Sequence, residues 1–164
     1  MQKFNYHTHT SRCGHAEYGF SDEEYVKTFI DLGFETIAFT DHNPQKTRID
    51  MRSNVRMNYS EINDYLSSVN ALREKYKDQI EIKSGFEIEY FPGLEIELLE
   101  LKEKTDILVL GQHFVYNDSE KQLKYLWRNQ FTEDDLQKYG QYIEKAILLN
   151  LPDIIVHPDI YMLG

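Results

Sequence analysis

Short apolar runs alternate with amphipathic segments along the chain, and this alternation limits the fold more than any other feature of the sequence. The runs at 4–9, 35–42, 80–90, 106–114 and 153–159 have the length and the β-branched and aromatic content of strands. Segments with helical spacing of apolar residues lie between them. Alternating strands and helices predict an α/β fold with a parallel sheet, either rolled into a barrel or open and doubly wound.

The first helix has clear start and stop signals. Ser21, followed three residues later by Glu24, forms a capping box, and Gly33 supplies the stop. Further helices are predicted within three segments, and the long polar stretch 43–60 is predicted to be a loop. The three helical segments are 60–76, 94–104 and 136–150.

Composition excludes several classes of protein. The 164 residues suit one domain, and 18 basic against 28 acidic residues give a net charge of -10, which argues against a nucleic-acid or membrane-surface partner. The single cysteine cannot form an intramolecular disulfide, which is compatible with a reducing cytoplasm. Neither a signal-peptide core nor a run of about 18 apolar residues occurs, so the sequence predicts a cytoplasmic protein.

All six histidines lie on predicted strands, directly after them or in the loop that follows the first strand. The carboxyl ends of parallel strands meet at one rim, and His7 and His9, two residues apart on a strand, face the same side. Neutral imidazoles and carboxylates gathered at one rim lose hydration free energy unless a cation compensates them, so the pattern predicts a divalent metal site. His15 lies in the loop after the first strand, and the side chains expected at the rim are His7, His9, Asp41, His42, Glu87, His113 and His157.

Five motifs together resemble the PHP (polymerase and histidinol phosphatase) family of metal-dependent phosphoesterases. They are HTHT with the following His15, TDH, GFEIEYFPG, GQHF and VHPD, and they span His7 to Asp159. GFEIEYFPG is most similar to the histidinol-phosphatase group. The resemblance implies a distorted (β/α)7-type barrel with two or three divalent ions of zinc, manganese or iron.

The resemblance also implies a ligand set in which Glu87 bridges two ions. Asp41 and Asp159 either orient a ligand imidazole by accepting its second N–H or serve as turn residues. The implied catalytic residues are Glu87 and the four histidines that share an ion with it, His7, His9, His113 and His157. The implied ligands are His7, His9 and Glu87 for one ion, Glu87, His113 and His157 for a second, and His15 and His42 for a third.

The chain departs from the family pattern after His157. Longer relatives supply an Asp for the first site and a His for the third in a later D-x-H motif. About five βα units cannot close a seven-stranded barrel, so residues 1–164 are interpreted as a single PHP domain lacking its last strands and helices. Three explanations are open: the chain is a fragment of a longer enzyme, a naturally short variant, or a half that pairs with another copy. Truncation is favoured, with a homo-oligomer covering the open edge.

The resemblance predicts a hydrolase that removes phosphate from a small phosphomonoester, with histidinol phosphate of histidine biosynthesis as the first substrate to test. A metal-bound hydroxide would attack phosphorus, and the ions would offset the negative charge of the chain. One alternative is a phosphoesterase acting on nucleotides or nucleic-acid ends, against which the absence of a basic groove counts. Another is a truncated metal-binding module without catalysis.

Substrate contacts are predicted less directly. Strand alternation would place Glu89 on the face of Glu87, where it is a candidate to meet the substrate amine. Cys13 is interpreted as a small filler, because it has no positioned partner and a metal-bound hydroxide makes a protein nucleophile unnecessary. The basic residues that either contact phosphate or are solvated loop charges are Arg12, Lys46, Arg48, Arg52 and Arg56.

Overall fold

The computed structural model describes residues 2–16, 18–46, 55–118, 121–127 and 131–163. The chain forms two compact units. Unit 1 comprises Met1–Glu87 and Lys104–Ile107, and unit 2 comprises Ile88–Glu103 and Leu108–Gly164. The prediction of one PHP domain over residues 1–164 stays a prediction.

Strands and helices alternate as the sequence predicts, which confirms the mixed α/β fold class. One β-hairpin was not predicted, and the predicted loop 43–60 is described only at 43–46 and 55–60. The elements are β1 (Phe4–Thr8), α1 (Asp22–Asp31), β2 (Thr36–His42), α2 (Ile62–Tyr76), β3 (Glu81–Ile88), α3 (Glu95–Lys102), β4 (Ile107–Leu110), β5 (Phe114–Asn117), β6 (Gln122–Tyr125), α4 (Glu133–Leu148) and β7 (Ile154–Ile155).

In unit 1, β2 pairs in parallel with both β1 and β3. The β2–β3 register is regular from Thr36 opposite Glu81 to His42 opposite Glu87. The β1–β2 register shifts between Asn5 and Thr8. The pairing therefore brings the His42 imidazole and the Glu87 carboxylate side by side near the ends of β2 and β3.

Helix α1 begins and ends as its sequence predicts. The Ser21 side chain accepts from the Glu24 backbone N–H at 3.3 Å, and Glu24 Oε2 accepts from the Ser21 N–H at 2.8 Å, which completes the capping box. The helix ends just before Gly33, which has a φ of 78° that most side chains disfavour. Local sequence alone therefore sets both boundaries.

The Tyr65 side chain of helix α2 hydrogen-bonds to the backbones of both β2 and β3. Tyr65 is fully buried, and its hydroxyl lies 2.9 Å from both the Phe39 and the Gly85 carbonyl oxygens, which share its single hydrogen. Burial raises the Tyr65 pKa well above its usual value, so the hydroxyl stays protonated and keeps donating. The core of unit 1 beneath the site is thus held by apolar packing and by this buried polar link.

In unit 2, β4 and β7 pair in parallel, with Val109 opposite Ile154. The hairpin β5–β6 is antiparallel and was missed because its strands have four residues each and lack the short glycine turn that marks a hairpin in sequence. Helix α4 contacts the hairpin through Asp135. In the part of the chain that the structure describes, no helix has both the length and the apolar composition to cross a membrane.

Asp135 is 2% exposed and joins three neighbours. Its carboxylate accepts from Asn117 Nδ2 at 2.9 Å, Lys124 Nζ at 2.8 Å and the Thr132 backbone N–H at 2.9 Å. Burial raises the Asp135 pKa, but the hydrogen bonds from Lys124 and Thr132 outweigh it, so the pKa lies well below its usual value. The ionised carboxylate therefore stabilises the fold.

Asp135→Asn is expected to lower the free energy of unfolding by about 2 kcal/mol at pH 7. A carboxyl pKa lowered by folding adds stability above its unfolded value, about 4, and this contribution fades as the pH falls below it. The deficit of the variant should therefore shrink between pH 5 and pH 3, measured by urea unfolding. Asp134→Asn, an exposed neighbour in the same helical turn, is the control, and a deficit independent of pH would contradict the assignment.

Candidate metal centre

The first two histidines lie at the end of β1 and face each other. His7 is in the strand and His9 follows it directly, and their Nε2 atoms are 3.3 Å apart. Their rings are nearly perpendicular, with centroids separated by 4.8 Å. The structure therefore brings this H-x-H pair together, as the strand spacing predicts.

Glu87 lies beside three imidazoles, and its side chain is 1% exposed. Its Oε2 is 3.0 Å from His42 Nδ1 and 3.2 Å from His9 Nε2, and its Oε1 is 3.8 Å from His7 Nε2. The β2–β3 register explains the contact with His42, because the two residues are strand partners. Glu87 is thus a buried carboxylate next to nitrogen atoms of three histidines, two from the end of β1 and one from β2.

The spacing of these atoms fits a metal ion. Two ligand atoms about 2.1 Å from one tetrahedral ion lie about 3.4 Å apart. His7, His9 and Glu87 form a triangle of residues: the two Nε2 atoms are 3.3 Å apart, His9 Nε2 is 3.2 Å from Glu87 Oε2, and His7 Nε2 is 3.8 Å from Glu87 Oε1. Imidazole with carboxylate is a donor set used by zinc, manganese and iron. The residues of unit 1 therefore suit the first predicted site.

His15 extends the same group from the loop after β1. A short 3-10 turn at Ser11–Cys13 ends at Gly14, whose φ of 65° reverses the chain toward His15. The ligand atoms of His9, His15 and His42 lie within 4.8 Å of one another. His15 Nδ1 lies 2.9 Å from the Cys13 carbonyl oxygen, so it donates there and Nε2 keeps a lone pair. His15 and His42 are thus close enough to share an ion.

Cys13 and Asp41 lie next to the imidazole of His9. Cys13 is fully buried, with Sγ 3.3 Å from His9 Nδ1 and 3.1 Å from the His42 backbone nitrogen. Burial and the charge of Asp41 raise the Cys13 pKa well above its usual value. Asp41 accepts from the Thr10 backbone N–H at 2.7 Å and from its hydroxyl at 2.8 Å. Asp41, in β2, therefore anchors the loop after β1, and its predicted role in orienting a ligand imidazole stays a prediction.

The predicted phosphate-binding cations have protein partners where the structure describes them. Arg12 donates to Asp22 at 2.6 Å, and its guanidinium lies 5.5 Å from the centroid of the Tyr65 ring. Lys46 lies over the Tyr59 ring, and the buried Arg56 donates to the Asn43 carbonyl oxygen at 3.1 Å. Arg48 and Arg52 lie outside the described residues.

Unit 2 carries a second group of site residues. Glu89 is buried, and its Oε1 accepts from the His113 backbone N–H at 3.1 Å and lies 2.7 Å from His113 Nδ1. The ring centroids of His113 and His157 are 4.9 Å apart. His157 has a φ of 33°, a left-handed conformation that is rare outside glycine and concentrates at functional sites.

The end of β3 differs from the sequence interpretation, whereas Asp159 makes the contacts of one of its two predicted alternatives. Strand β3 ends at Ile88, so strand alternation does not extend to Glu89. Asp159 is exposed, and its carbonyl oxygen accepts from the Met162 N–H at 2.8 Å as the chain turns into the 3-10 helix Ile160–Leu163. The Asp159 carboxylate lies near Tyr139, and burial together with the nearby Tyr161 and Asp159 raises the pKa of Tyr139 to about 12. The described contacts of Asp159 are those of a turn residue.

Comparison with known proteins identifies the family. The model of the PHP domain matches residues 5–163. The chain belongs to the PHP domain family, which confirms the resemblance seen in the sequence motifs. The histidinol-phosphatase of Bacillus subtilis is 28% identical over 128 residues, which are 73% of this chain and 47% of the relative. The chain spans between 33% and 47% of the length of the curated relatives it matches.

Solved structures show the same fold. HisK from Listeria monocytogenes matches with a TM-score of 0.77 at 23% identity, covering 97% of this chain and 68% of that protein. A histidinol phosphate phosphatase from Lactococcus lactis, crystallised with zinc, L-histidinol and phosphate, matches with a TM-score of 0.70 at 19% identity. It covers 96% of this chain and 58% of that protein. These likenesses establish the fold that carries both groups of site residues.

Proposed function

We propose that this chain binds divalent metal ions and hydrolyses a small phosphomonoester, with histidinol phosphate as the substrate. The observation that carries the proposal is the triangle of His7, His9 and Glu87, whose donor atoms have the separations that one metal ion requires. Membership of the PHP family and relatives named as histidinol-phosphatases support the reaction and the substrate. The zinc, histidinol and phosphate of the Lactococcus lactis structure support the chemical class of both ligands.

In unit 1, the chain supplies four imidazoles and one carboxylate. His7 and His9 would present Nε2 to one ion together with Glu87, whose burial keeps water from competing for the carboxylate. His15 and His42 would hold a further ion. The bridging role predicted for Glu87 joins it to His113 and His157 of unit 2 and stays a prediction.

In unit 2, Glu89 orients an imidazole in this proposal. A carboxylate only accepts hydrogen bonds, so the Nδ1 of His113 carries its hydrogen toward Glu89, and Nε2 presents a lone pair. Metal-binding histidines commonly donate their second N–H to such a carboxylate, which fixes the tautomer. The buried position of Glu89 supports this role. The predicted contact of Glu89 with a substrate amine stays a prediction.

When bound, divalent ions supply a water of lowered pKa and a positive field for the phosphate oxygens. The chain's own residues hold and shield the groups that bind them. Arg12 is paired with Asp22, and Arg56 is buried against Asn43, so neither is drawn on for phosphate here. The proposal therefore assigns charge neutralisation of the substrate to the ions.

Metal removal tests the proposal. The purified chain is analysed for metal content, stripped with a chelator, and assayed with histidinol phosphate and p-nitrophenyl phosphate before and after zinc, manganese or iron(II) is added. We expect turnover to vanish on stripping and to return with at least one metal, with histidinol phosphate preferred. Metal binding without turnover would overturn the catalytic proposal and favour a metal-binding module, and absence of metal binding would overturn the whole proposal.

Two further predictions remain separate from this assay. The predicted homo-oligomer is tested by light scattering of the purified chain, and a monomer that turns over would contradict it. The predicted cytoplasmic location is tested by cell fractionation.

A further inference from the structure

We infer that Cys13 is a positioning residue that fixes the His9 ring and the end of β2 for metal binding. The inference rests on the proposed function, since it takes His9 as a metal ligand. It assigns a role to a residue that the sequence alone marks only as a small filler. Its basis is that one buried sulfur contacts two of the five unit-1 residues proposed to bind metal, the side chain of His9 and the backbone of His42.

The first contact sets the orientation of the imidazole. The two nitrogens of His9 point in different directions: Nδ1 lies 3.3 Å from Cys13 Sγ, and Nε2 lies 3.3 Å from His7 Nε2 and 3.2 Å from Glu87 Oε2. When Nε2 binds an ion, the only remaining hydrogen of the neutral ring is on Nδ1. Cys13 Sγ then accepts that hydrogen, which holds the ring with Nε2 toward His7 and Glu87.

The second contact sets the position of the neighbouring ligand. The backbone N–H of His42 donates to Cys13 Sγ at 3.1 Å, across 29 residues of sequence. This hydrogen bond ties the loop after β1 to the last residue of β2. His42 is in turn the strand partner of Glu87. The sulfur therefore couples the positions of His9 and His42, which belong to different segments.

Cys13 lies on the side of His9 away from the His7–Glu87 triangle, so it does not ligate the same ion. Asp41, the third member of the group formed with His9 and Cys13, accepts two hydrogen bonds from Thr10. The contacts of Cys13 Sγ with His9 Nδ1 and with the His42 N–H make the sulfur a hydrogen-bond acceptor next to the ligands rather than a ligand. Outer groups of this kind commonly change metal affinity 10- to 100-fold when removed.

The test measures zinc affinity of the whole chain by competition with a chelating dye. Cys13→Ala removes the acceptor, and we expect zinc affinity to fall about 10- to 100-fold. Cys13→Ser keeps an acceptor, and we expect it to stay within about threefold of the wild type. Val26→Ala is the matched control, because Val26 is equally buried in unit 1 on α1 and its truncation weakens packing. Circular dichroism establishes that each variant is folded.

Cobalt(II) substitution separates a positioning role from direct ligation. A cysteine ligand gives cobalt an intense near-ultraviolet sulfur charge-transfer band, and we expect none that depends on Cys13. The inference is overturned if such a band appears, if Cys13→Ala binds zinc as tightly as the wild type, or if Cys13→Ser is as weak as Cys13→Ala. A wild-type chain that binds no zinc overturns the proposed function and this inference with it, whereas unchanged binding by Cys13→Ala overturns the inference alone.

Discussion

Glu87→Gln is expected to reduce phosphatase turnover by about a thousandfold or more, because it removes the carboxylate that lies beside three imidazoles of unit 1. Glutamine has nearly the same shape but no charge, and its NH₂ group would point hydrogens where a metal ion needs a lone pair. The three nitrogen atoms of His7, His9 and His42 lie 3.0 to 3.8 Å from the Glu87 oxygens. The substitution therefore acts at the centre of the proposed site.

A thermal-unfolding measurement separates this loss from misfolding. A ligand that binds only the folded state raises the melting temperature by mass action. Zinc should therefore raise the melting temperature of the stripped wild type, and the rise should be largely lost in Glu87→Gln. Glu144→Gln, an exposed residue on α4, makes the same chemical change and should keep both the rise and the turnover. A Glu87→Gln variant that retains metal content and activity would show that the proposed centre is wrong.

Gly85→Ala is expected to lower the free energy of unfolding by about 3 kcal/mol, the upper end of ordinary overpacking. A Cβ on Gly85 would lie 2.2 Å from the Ile107 carbonyl oxygen and 2.6 Å from its Cγ2. Both residues are in unit 1, and a backbone atom cannot turn away as the end of a side chain can. For a chain of this size the loss corresponds to a melting temperature lower by about 6 to 12 °C.

The same substitution is expected to weaken zinc binding, because Gly85 lies two residues before Glu87 in β3 and opposite Thr40 of β2. Shifting β3 to relieve the clash would move Glu87 relative to His42. Gly140→Ala is the matched control, since Gly140 is inside α4 with nothing within 4 Å of an added Cβ. It should raise stability by about 0.5 to 1 kcal/mol, since alanine favours a helix. Equal melting temperatures for Gly85→Ala and the wild type would contradict the predicted clash.

Secondary structure and the H-x-H pair could be predicted because they follow from neighbouring residues. The α1 capping box needs only Ser21 and Glu24, three residues apart, and the His7–His9 pair needs only the two-residue repeat of a strand. The hairpin β5–β6 was missed because its strands are short and its turn lacks a clear signal. The resemblance to the PHP family motifs assigned the remaining site residues to individual ions.

What the sequence by itself determined is therefore the alternation of strands and helices, the family and the set of imidazoles and carboxylates. Only the tertiary structure decided which atoms meet: Cys13 with His42 across 29 residues, Glu89 with His113 across 24, and Arg12 with Asp22. The physical reason is that periodicity and caps depend on contacts within one helical turn or strand. Strand register and buried hydrogen bonds depend instead on how distant segments pack.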